Sequence, residues 1–521
     1  MTELRSSLLA LVLVTTGWAG CIGTADDSLD ANRAGLDEAS SIQVVDEDEE
    51  AIAFAQVTQY AAGEVLTVTS ANASGALAAE ELTPSAERVL VTADGYEDWE
   101  GSVEDLGDQI RLANATERVQ PEPSADRDRL SLLAPLQLGS AYMADRPETC
   151  NVNNCGASEP VIEVAGDGTI YVSGVCCVGG SPPIWFSQDD GRSFQLLRGD
   201  VLRDSFGIEG DFAIDETGNM YFSDISVASG YLSSWDEDQE HRSTIPAGPF
   251  VPPVDRPWIE AGPEDTAWFL YNQVTSTLLY KSTDGGITWT LQQEFPGALG
   301  YFESGPGLEE LWVAADDHLW HSEDGGETFE QLEEIPRPSD EGQRFMSYET
   351  LGVDEAGNVW AVYDWSNGTS DAYHIYAVKR SPDGEWSQPV RVSPDQGTHH
   401  LPWADASAEG SLALAWYGTL DDEAGPNEVD EDAQWELFTA ATIDGTEDDP
   451  GFQLAQPEPA LVHEGPMNRK LLDFLQVEIG PEGAVHIAYA QDREGQQDER
   501  TEYVRSTTGL DLAREDYLNG P

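Results

Sequence analysis

The chain has few basic side chains, and lysine is almost absent. Its 521 residues include 25 Lys and Arg, of which 3 are Lys, against 98 Asp and Glu, and the formal net charge is -73. A surface this acidic repels nucleic acid and anionic membranes, so neither is expected as a direct partner. The acids are spread along the chain and 40% of the residues are hydrophobic, which favours a folded protein over a disordered one. Lys-poor, carboxylate-coated surfaces are typical of proteins from salt-loving organisms, where salt screens the repulsion.

Long hydrophobic runs are missing after the N-terminus, where no segment approaches the ~18 apolar residues of a membrane span. Residues 1–20 combine Arg5, the apolar run LLALVLV and small residues before Cys21, which predicts a secretion signal. The segment WAGC resembles a lipobox, in which the Cys is acylated after cleavage, although Trp18 stands where an aliphatic residue is usual. The alternative is an ordinary signal peptide. We expect an exported protein, anchored to the outer face of the cell membrane through Cys21, with a signal over 1–21 and a flexible tether over 22–41.

One turn pattern organises the second half of the chain. The frame Ser-x-Asp-x-Gly-x-Ser/Thr-aromatic occurs in SQDDGRSF, STDGGITW and SEDGGETF, and a shorter copy, SPDGEW, begins at Ser381. The Asp can accept backbone N–H groups and the Gly can take a positive φ, so each copy predicts the turn of a β-hairpin. The turn residues are Ser187, Asp189 and Gly191; Ser282, Asp284 and Gly286; and Ser322, Asp324 and Gly326.

This frame resembles the Asp box, or BNR repeat, of the sialidase superfamily and other β-propellers. In that family the boxes lie on the face opposite the active site, so the resemblance implies a structural role for these turns.

A second repeat accompanies the turns and predicts the fold. A repeat recurs at intervals mostly near 50 residues, in segments such as IEVAGDGTIYVS and LGVDEAGNVWAVY. Each segment reads as a strand, an acidic or Gly turn and an aromatic strand. That period predicts an all-β fold, a β-propeller over 133–521 with seven blades favoured and six or eight as alternatives. Short β-like runs over 42–112 predict a small β-sandwich that resembles carboxypeptidase-regulatory modules, and 113–132 reads as a linker.

The propeller interpretation places several cationic residues on one face. Segments that precede the innermost strand of each blade converge around the central channel on the top face. They carry Arg256, Arg344, Arg469, His399 and His400. Arginine binds carboxylates with two parallel hydrogen bonds, so these residues predict a ligand site for a glycan or a surface protein. The alternative is that the arginines form ion pairs with neighbouring acids.

The resemblance to sialidases implies an Arg triad that binds sialic acid, a Tyr nucleophile paired with a Glu, and an Asp acid/base. Tyr348 and Glu349, beside Arg344, are the local match, which leaves a sialidase-like exoglycosidase as the alternative function. ADRPET only approximates the family's first Arg motif, and no Tyr precedes the last innermost strand, so the enzymatic question stays open. His399 and His400 adjoin but lack an identifiable third ligand, so neither a metal nor a cofactor is expected.

The remaining four cysteines lie in one region. Cys150 and Cys155 precede the first blade's innermost strand, and Cys176 and Cys177 fall in a loop on the same face. After export they should be oxidised, and two cross-links between the pairs are expected. A Cys176–Cys177 bridge with Cys150–Cys155, or a metal site of four thiolates, remains as an alternative.

Overall fold

The computed structural model describes residues 41–45, 51, 56–61, 64–70, 76–78, 88–92, 99–102, 109–111, 131–132, 136–137, 158–175, 184–192, 194–196, 209–215, 217–226, 229–236, 241–246, 254–263, 265–273, 275–297, 299–306, 309–339, 341–345, 349–368, 371–446, 450–457, 460–468, 471, 473–492, 500–508 and 512–513. Their regular secondary structure is entirely β, in strands β1 to β37. Within these ranges no helix is long and apolar enough to cross a membrane.

Seven strands precede residue 112 and form two small sheets, in the region expected to be a sandwich. One sheet has the order β4-β1-β7 and the other β3-β2-β5-β6. Alternate residues of β5, Val89 and Val91, are fully buried, as expected of a strand with one face in a core. The strands are β1 (Ser41–Val45), β2 (Gln56–Ala61), β3 (Glu64–Ser70), β4 (Ala76–Ala78), β5 (Arg88–Thr92), β6 (Trp99–Gly101) and β7 (Gln109–Arg111).

The rest of the described chain forms a β-propeller. Seven antiparallel sheets follow one another along the described chain between 158 and 508, and each runs outward from its first strand. The strands of the first four sheets are β10 (Ser158–Val164), β11 (Ile170–Val175), β12 (Ile184–Ser187) and β13 (Gln195–Leu196); β14 (Glu209–Ile214), β15 (Met220–Ser226), β16 (Ser229–Trp235) and β17 (His241–Pro246); β18 (Val254–Ala261), β19 (Ala267–Gln273), β20 (Ser276–Ser282) and β21 (Thr290–Pro296); β22 (Tyr301–Ser304), β23 (Leu311–Ala315), β24 (His318–Ser322) and β25 (Glu330–Glu334).

The last three sheets have the same plan, with additions at the edge. They contain β26 (Thr350–Val353), β27 (Val359–Trp365), β28 (His374–Arg380) and β29 (Val390–Arg391); β30 (Thr398–Asp405), β31 (Leu412–Thr419), β32 (Gln434–Thr442), β33 (Gln453–Ala455) and β34 (Leu461–Glu464), which pairs with β32; and β35 (Gln476–Ile479), β36 (Val485–Gln491) and β37 (Arg500–Thr508).

The ring closes through two short strands that precede the first sheet. β8 (Ser131–Leu132) and β9 (Leu136–Gln137) both pair with β37 and so complete the seventh sheet. β9 lies in the range expected to form the propeller, 133–521, whereas β8 lies in the stretch expected to be linker, 113–132. The first strands contact one another in cyclic order, and β35 contacts β10.

The Ser-x-Asp-x-Gly turns connect the third and fourth strands of three sheets. In the turn after β24 the Ser322 hydroxyl donates to Asp324 Oδ1 (2.9 Å) and accepts from the Gly326 N–H (2.9 Å). The same pair of contacts is present at Ser282 and at Ser187. Since these turns share one face, the connections between successive sheets lie on the other, which we call the top face.

Side chains of the first strands fill the central channel in layers. An aromatic layer consists of Trp258, Tyr301, Trp403 and Phe474, whose rings contact one another at centroid distances of 5.1 to 5.6 Å. Two residues further along most of these strands comes a carboxylate. We call this lower layer, together with Asp211, the acidic ring: Glu163, Asp211, Glu260, Glu303, Asp405 and Glu478. The aromatic layer therefore lies between the top face and five of these carboxylates, whereas Asp211 is level with Trp258.

Candidate functional site

Two arginines converge on the top face between the fourth and fifth sheets. Arg337 and Arg344 both lie in the connection from β25 to β26. Both contact Oδ1 of Asp317, at 3.0 Å from Arg337 Nη2 and 2.5 Å from Arg344 Nη2. Both also contact Oε1 of Glu349. We call Arg337 and Arg344 the arginine pair.

The two carboxylates bound to the arginine pair differ in their exposure. The Glu349 side chain is 3% exposed and that of Asp317 is 58% exposed. Glu349 is therefore a fixed internal counterion, whereas Asp317 faces water. Because two positive and two negative charges meet here, the site is neutral only while both carboxylates are in place.

Two aromatic rings pack against the guanidinium of Arg337. Its guanidinium lies 4.5 Å from the ring centroid of Tyr363 and 5.8 Å from that of Trp365. These are cation–π distances. The Tyr363 hydroxyl donates to the carbonyl of Pro336 (2.6 Å), and Trp365 Nε1 donates to Ser339 Oγ (3.3 Å). Burial disfavours the charge of Arg337, but Glu349, Tyr363 and Asp317 together outweigh burial and raise the pKa of Arg337 above its usual value. Arg337 is therefore a permanent cation.

The segment that carries Arg344 is fixed by buried acceptors. The Phe345 N–H donates to Asp364 Oδ1 (2.7 Å), and Gln343 forms backbone hydrogen bonds with Ser366 in both directions. Gln343 Nε2 also donates to the Tyr373 hydroxyl (2.7 Å). Arg344 is thus held between two anchored neighbours, so little conformational freedom is lost when it binds a ligand.

Arg256, expected to bind a ligand, lies at the channel mouth and is buried. Its guanidinium contacts Glu159 (3.4 Å) on the first sheet and Asp473 (2.5 Å) just before the seventh, and it lies 5.6 Å from the Phe474 ring. It is 4% exposed. Arg256 of the third sheet therefore bridges the mouth through ion pairs, the arrangement considered as the alternative for these arginines. It shares no carboxylate with Arg344.

The backbone at the mouth takes an unusual conformation. Four non-glycine residues have positive φ angles of 47° to 66°, and each lies four residues before a carboxylate of the acidic ring. Such conformations persist only where the surrounding structure imposes them, and they cluster at functional sites. The top rim of the channel is therefore a rigid frame. The four residues are Glu159, Arg256, Leu299 and Leu401.

The two histidines expected on the top face are both buried on β30. The His399 Nε2–H donates to the Gln396 carbonyl (2.9 Å), and Trp416 Nε1 donates to its Nδ1 (3.1 Å). Burial lowers the pKa of His399 to about 4 and that of His400 to about 3, so both imidazoles are neutral. In the described part of the chain no three His, Cys, Asp or Glu side chains are arranged to hold a metal ion.

Several expected residues lie outside the described ranges. They are Tyr348 of the Tyr–Glu pair, Arg469, the four clustered cysteines Cys150, Cys155, Cys176 and Cys177, and Cys21. Their expected roles stay predictions.

Sequence reasoning missed Arg337 and Asp317. Arg337 lies in IPRPSD, which has the composition of an ordinary loop, and Asp317 lies in the two-residue turn between β23 and β24. One signal was present, because Arg337 and Arg344 both fall in the connection that the propeller interpretation directed to the top face. With 98 acids in the chain, nothing in the sequence marks Asp317 as their partner.

Neither a family model nor a curated protein matches the chain. Solved structures with a similar fold include a GH74 enzyme of Niastella koreensis, at 12% identity and a TM-score of 0.41, covering 67% of this chain and 54% of that one. Polysaccharide lyase Uly1 has 10% identity and a TM-score of 0.40, with 73% and 98% covered. A protein from Lactobacillus plantarum has 13% identity and a TM-score of 0.39, with 60% and 88% covered. This chain spans about half the length of the GH74 enzyme, and these likenesses concern the fold alone.

Proposed function

We propose that the propeller binds a ligand bearing a carboxylate, specifically an acidic glycan, through the arginine pair on its top face. The observation that carries this proposal is the convergence of both guanidiniums on one exposed carboxylate, that of Asp317. A site that already binds a carboxylate at its surface has the geometry to bind another.

The chemistry of the pair supports a carboxylate rather than a neutral ligand. Arginine offers a planar fork of donors that matches a carboxylate, and charge-assisted hydrogen bonds of this kind contribute about 1.5–3 kcal/mol each. The surrounding carboxylates would repel an anion that lacked such a partner. The two guanidiniums are thus the local positive charges through which an anionic ligand can bind, once one of their carboxylate partners gives way.

The neighbouring aromatic residues support a glycan. Trp365 is partly exposed, and its indole is held by Ser339 beside the arginine pair. Ligand sites of this kind combine apolar aromatic surface with a few fixed polar groups. A sugar ring could pack its apolar face on the indole while its carboxylate is bound by the arginines.

The cellular setting belongs to the same proposal. A secretion signal with an acylated Cys21 would place the propeller on the outer face of the cell membrane, with the tether and the small sandwich as spacers. Glycans and surface proteins are the ligands available there.

The alternative, a sialidase-like exoglycosidase, receives less support from the described residues. It requires Glu349 to act on a Tyr nucleophile, Tyr348. Glu349 is buried and engaged by both arginines, which favours a role in positioning the pair. Binding without catalysis is therefore the function that we propose.

The test is calorimetric titration with N-acetylneuraminate and a galacturonate oligosaccharide, at roughly 0.15 M salt. A neutral galactose oligosaccharide is the ligand control. We expect wild type to bind an acidic probe, and Arg344→Ala to bind it roughly 10- to 150-fold more weakly, because one charge-assisted contact is lost.

Arg242→Ala is the matched protein control, since Arg242 also pairs with one partly exposed acid, Asp265 (2.8 Å), but on the opposite face. It should bind like wild type. Equal affinity of wild type and Arg344→Ala would refute the proposed site, as would the absence of binding to every acidic probe.

A further inference from the structure

We propose that Asp317 is an internal competitor for the arginine pair, which the ligand's carboxylate displaces on binding. The inference rests on the proposed function and adds to it a mechanism that sets affinity. In the free protein the Asp317 carboxylate occupies the place of the ligand.

The difference in exposure assigns the two carboxylates different roles. Glu349 is enclosed, so expelling it would leave two mostly enclosed guanidiniums, each on a side chain that is 15% exposed, without their internal counterion. Asp317 is largely in water, where an ion pair contributes little to stability and is readily broken. Of the two, only Asp317 can leave at small cost.

The contacts of Asp317 leave one donor of the arginine pair unused. Both arginines contact the same atom, Oδ1 of Asp317. Nη1 of Arg337 is buried and has no hydrogen-bond partner among the described residues. A ligand carboxylate is free to orient and can present both oxygens, so it can satisfy the donor that the tethered Asp317 carboxylate does not reach.

The backbone of Asp317 is fixed, so displacement requires only a side-chain rotation. Asp316 and Asp317 form the turn between β23 and β24 with φ angles of 53° and 64°. The Asp317 carbonyl accepts a hydrogen bond from the Ile335 N–H (2.9 Å), and the Asp316 carbonyl contacts His318 Nδ1 (2.7 Å). The turn can keep its shape while the carboxylate swings into water.

The position itself favours an interpretation beyond turn formation. Two-residue hairpin turns with positive φ at both positions prefer Asn-Gly or Asp-Gly. Here an Asp takes the second position, where Gly would be the least strained choice. A carboxylate at this place is thus retained against the local backbone preference, and its contacts are with the arginine pair.

The variant that tests the inference is Asp317→Asn. Asparagine keeps the size and tolerates the positive φ, but it removes the charge that competes for the arginines. Asp316→Asn is the matched control, because it makes the same charge change in the same turn and Asp316 lies outside the ion pairs of Arg337 and Arg344. Wild type and both variants are titrated with N-acetylneuraminate and the galacturonate oligosaccharide, and their melting temperatures are compared.

We expect Asp317→Asn to bind the acidic probe about two- to five-fold more tightly than wild type, as loss of an exposed ion pair predicts. Asp316→Asn should bind like wild type. Unchanged affinity in Asp317→Asn, or an equal gain in Asp316→Asn, would overturn the competitor role while leaving the proposed function intact. Tighter binding by Asp317→Asn than by wild type, lost when Arg344→Ala is added, supports both proposals. If none of the proteins binds an acidic probe, the proposed function itself fails.

Discussion

His400 is a buried polar side chain whose ring packs against two aromatic side chains. It is 1% exposed, and its ring packs edge-on against Phe345 and Trp435 at centroid distances of 5.0 Å. Neither ring nitrogen has a hydrogen-bond partner among the described residues. Burial without a partner lowers the pKa to about 3, so the imidazole stays neutral in the folded protein.

Replacing His400 with Phe should make the protein less sensitive to acid. The unfolded chain takes up a proton at His400 near its ordinary pKa of ~6.5, whereas the folded protein does so only near the lowered value. The contribution of His400 to the free energy of unfolding therefore falls as the pH drops below that ordinary value, and the stability of His400→Phe relative to wild type should rise between about pH 6.5 and 4. Denaturant unfolding at several pH values measures this difference, with His241→Phe, at an exposed histidine, as control. Parallel pH profiles for His400→Phe and wild type would show that His400 does not carry the effect.

Arg256 shows where inference from single residues ends. The repeat phase directed it to the channel mouth, but its partners Glu159 and Asp473 are 97 and 217 residues away in the chain. In a sequence with so many acids, many carboxylates are equally plausible partners. Glu159 and Asp473 become the partners because closure of the propeller brings the first and seventh sheets next to the channel mouth.

At the scale of elements, the three Ser-x-Asp-x-Gly turns carry a testable share of stability. Ser322→Ala removes the hydroxyl that donates to Asp324 and accepts from the buried N–H of Gly326. We expect a loss of about 1–2 kcal/mol in the free energy of unfolding. Ser381→Ala is the comparison, since the hydroxyl that it removes accepts an exposed N–H, that of Glu385 (3.2 Å), and its loss should cost less. Equal losses at both positions would contradict a specific role for the complete turn.

The strand order was predictable because turn chemistry is local. Six repeat positions lie in the turn between the first and second strands of a sheet, in all but the fourth sheet, and all six have positive φ, with angles of 60° to 91°. Gly and Asp mark these positions in any context, so their spacing exposes the repeat. The site around the arginine pair could not be predicted in the same way. Its arginines lie in a connection, Asp317 lies in a hairpin turn, and the aromatic residues lie at the end of β27. The turn positions are Gly168, Gly218, Asp265, Gly357, Gly410 and Gly483.

At the scale of the whole molecule, the acidic ring gathers carboxylates of six sheets in the channel, five of them at one level and Asp211 two residues nearer the top face. Burial, and then repulsion by the neighbouring acids, raises the pKa of Glu163 to about 8, and burial raises that of Asp211 to about 7. Burial and the same neighbours raise the pKa of Glu260 and Glu478 well above the usual range. Several of these carboxylates also accept N–H groups of the next sheet, as Glu163 does from Ile214 (3.2 Å) and Asp405 from Ile479 (2.7 Å).

The raised pKa values of the acidic ring should make the propeller less stable as the pH rises. A carboxyl with a raised pKa holds its proton in the folded state after the unfolded chain has lost it, so stability falls between about pH 4.5 and 8. Glu163→Gln, which can still accept the Ile214 N–H, should reduce the loss between pH 5.5 and 8.5 by about 1 kcal/mol or more. Unfolding is measured at ~1–2 M potassium chloride to screen surface charges.

Glu330→Gln, at an exposed glutamate on β25, is the matched control and should follow wild type. An undiminished pH dependence in Glu163→Gln would mean that this carboxyl is ionised throughout, and the ring would not be the source of the effect.

The closure of the seventh sheet has a consequence for synthesis of the chain. β8 and β9 leave the ribosome early, but their partner β37 follows roughly 370 residues later, which at ~5–20 residues per second is a wait of roughly 20–70 s. Until then the outer edge of the last sheet does not exist, and the two early strands have no partner in the ring. The propeller can close only after β37 has been made. A product terminated before β37 would carry open strand edges that other chains can pair with.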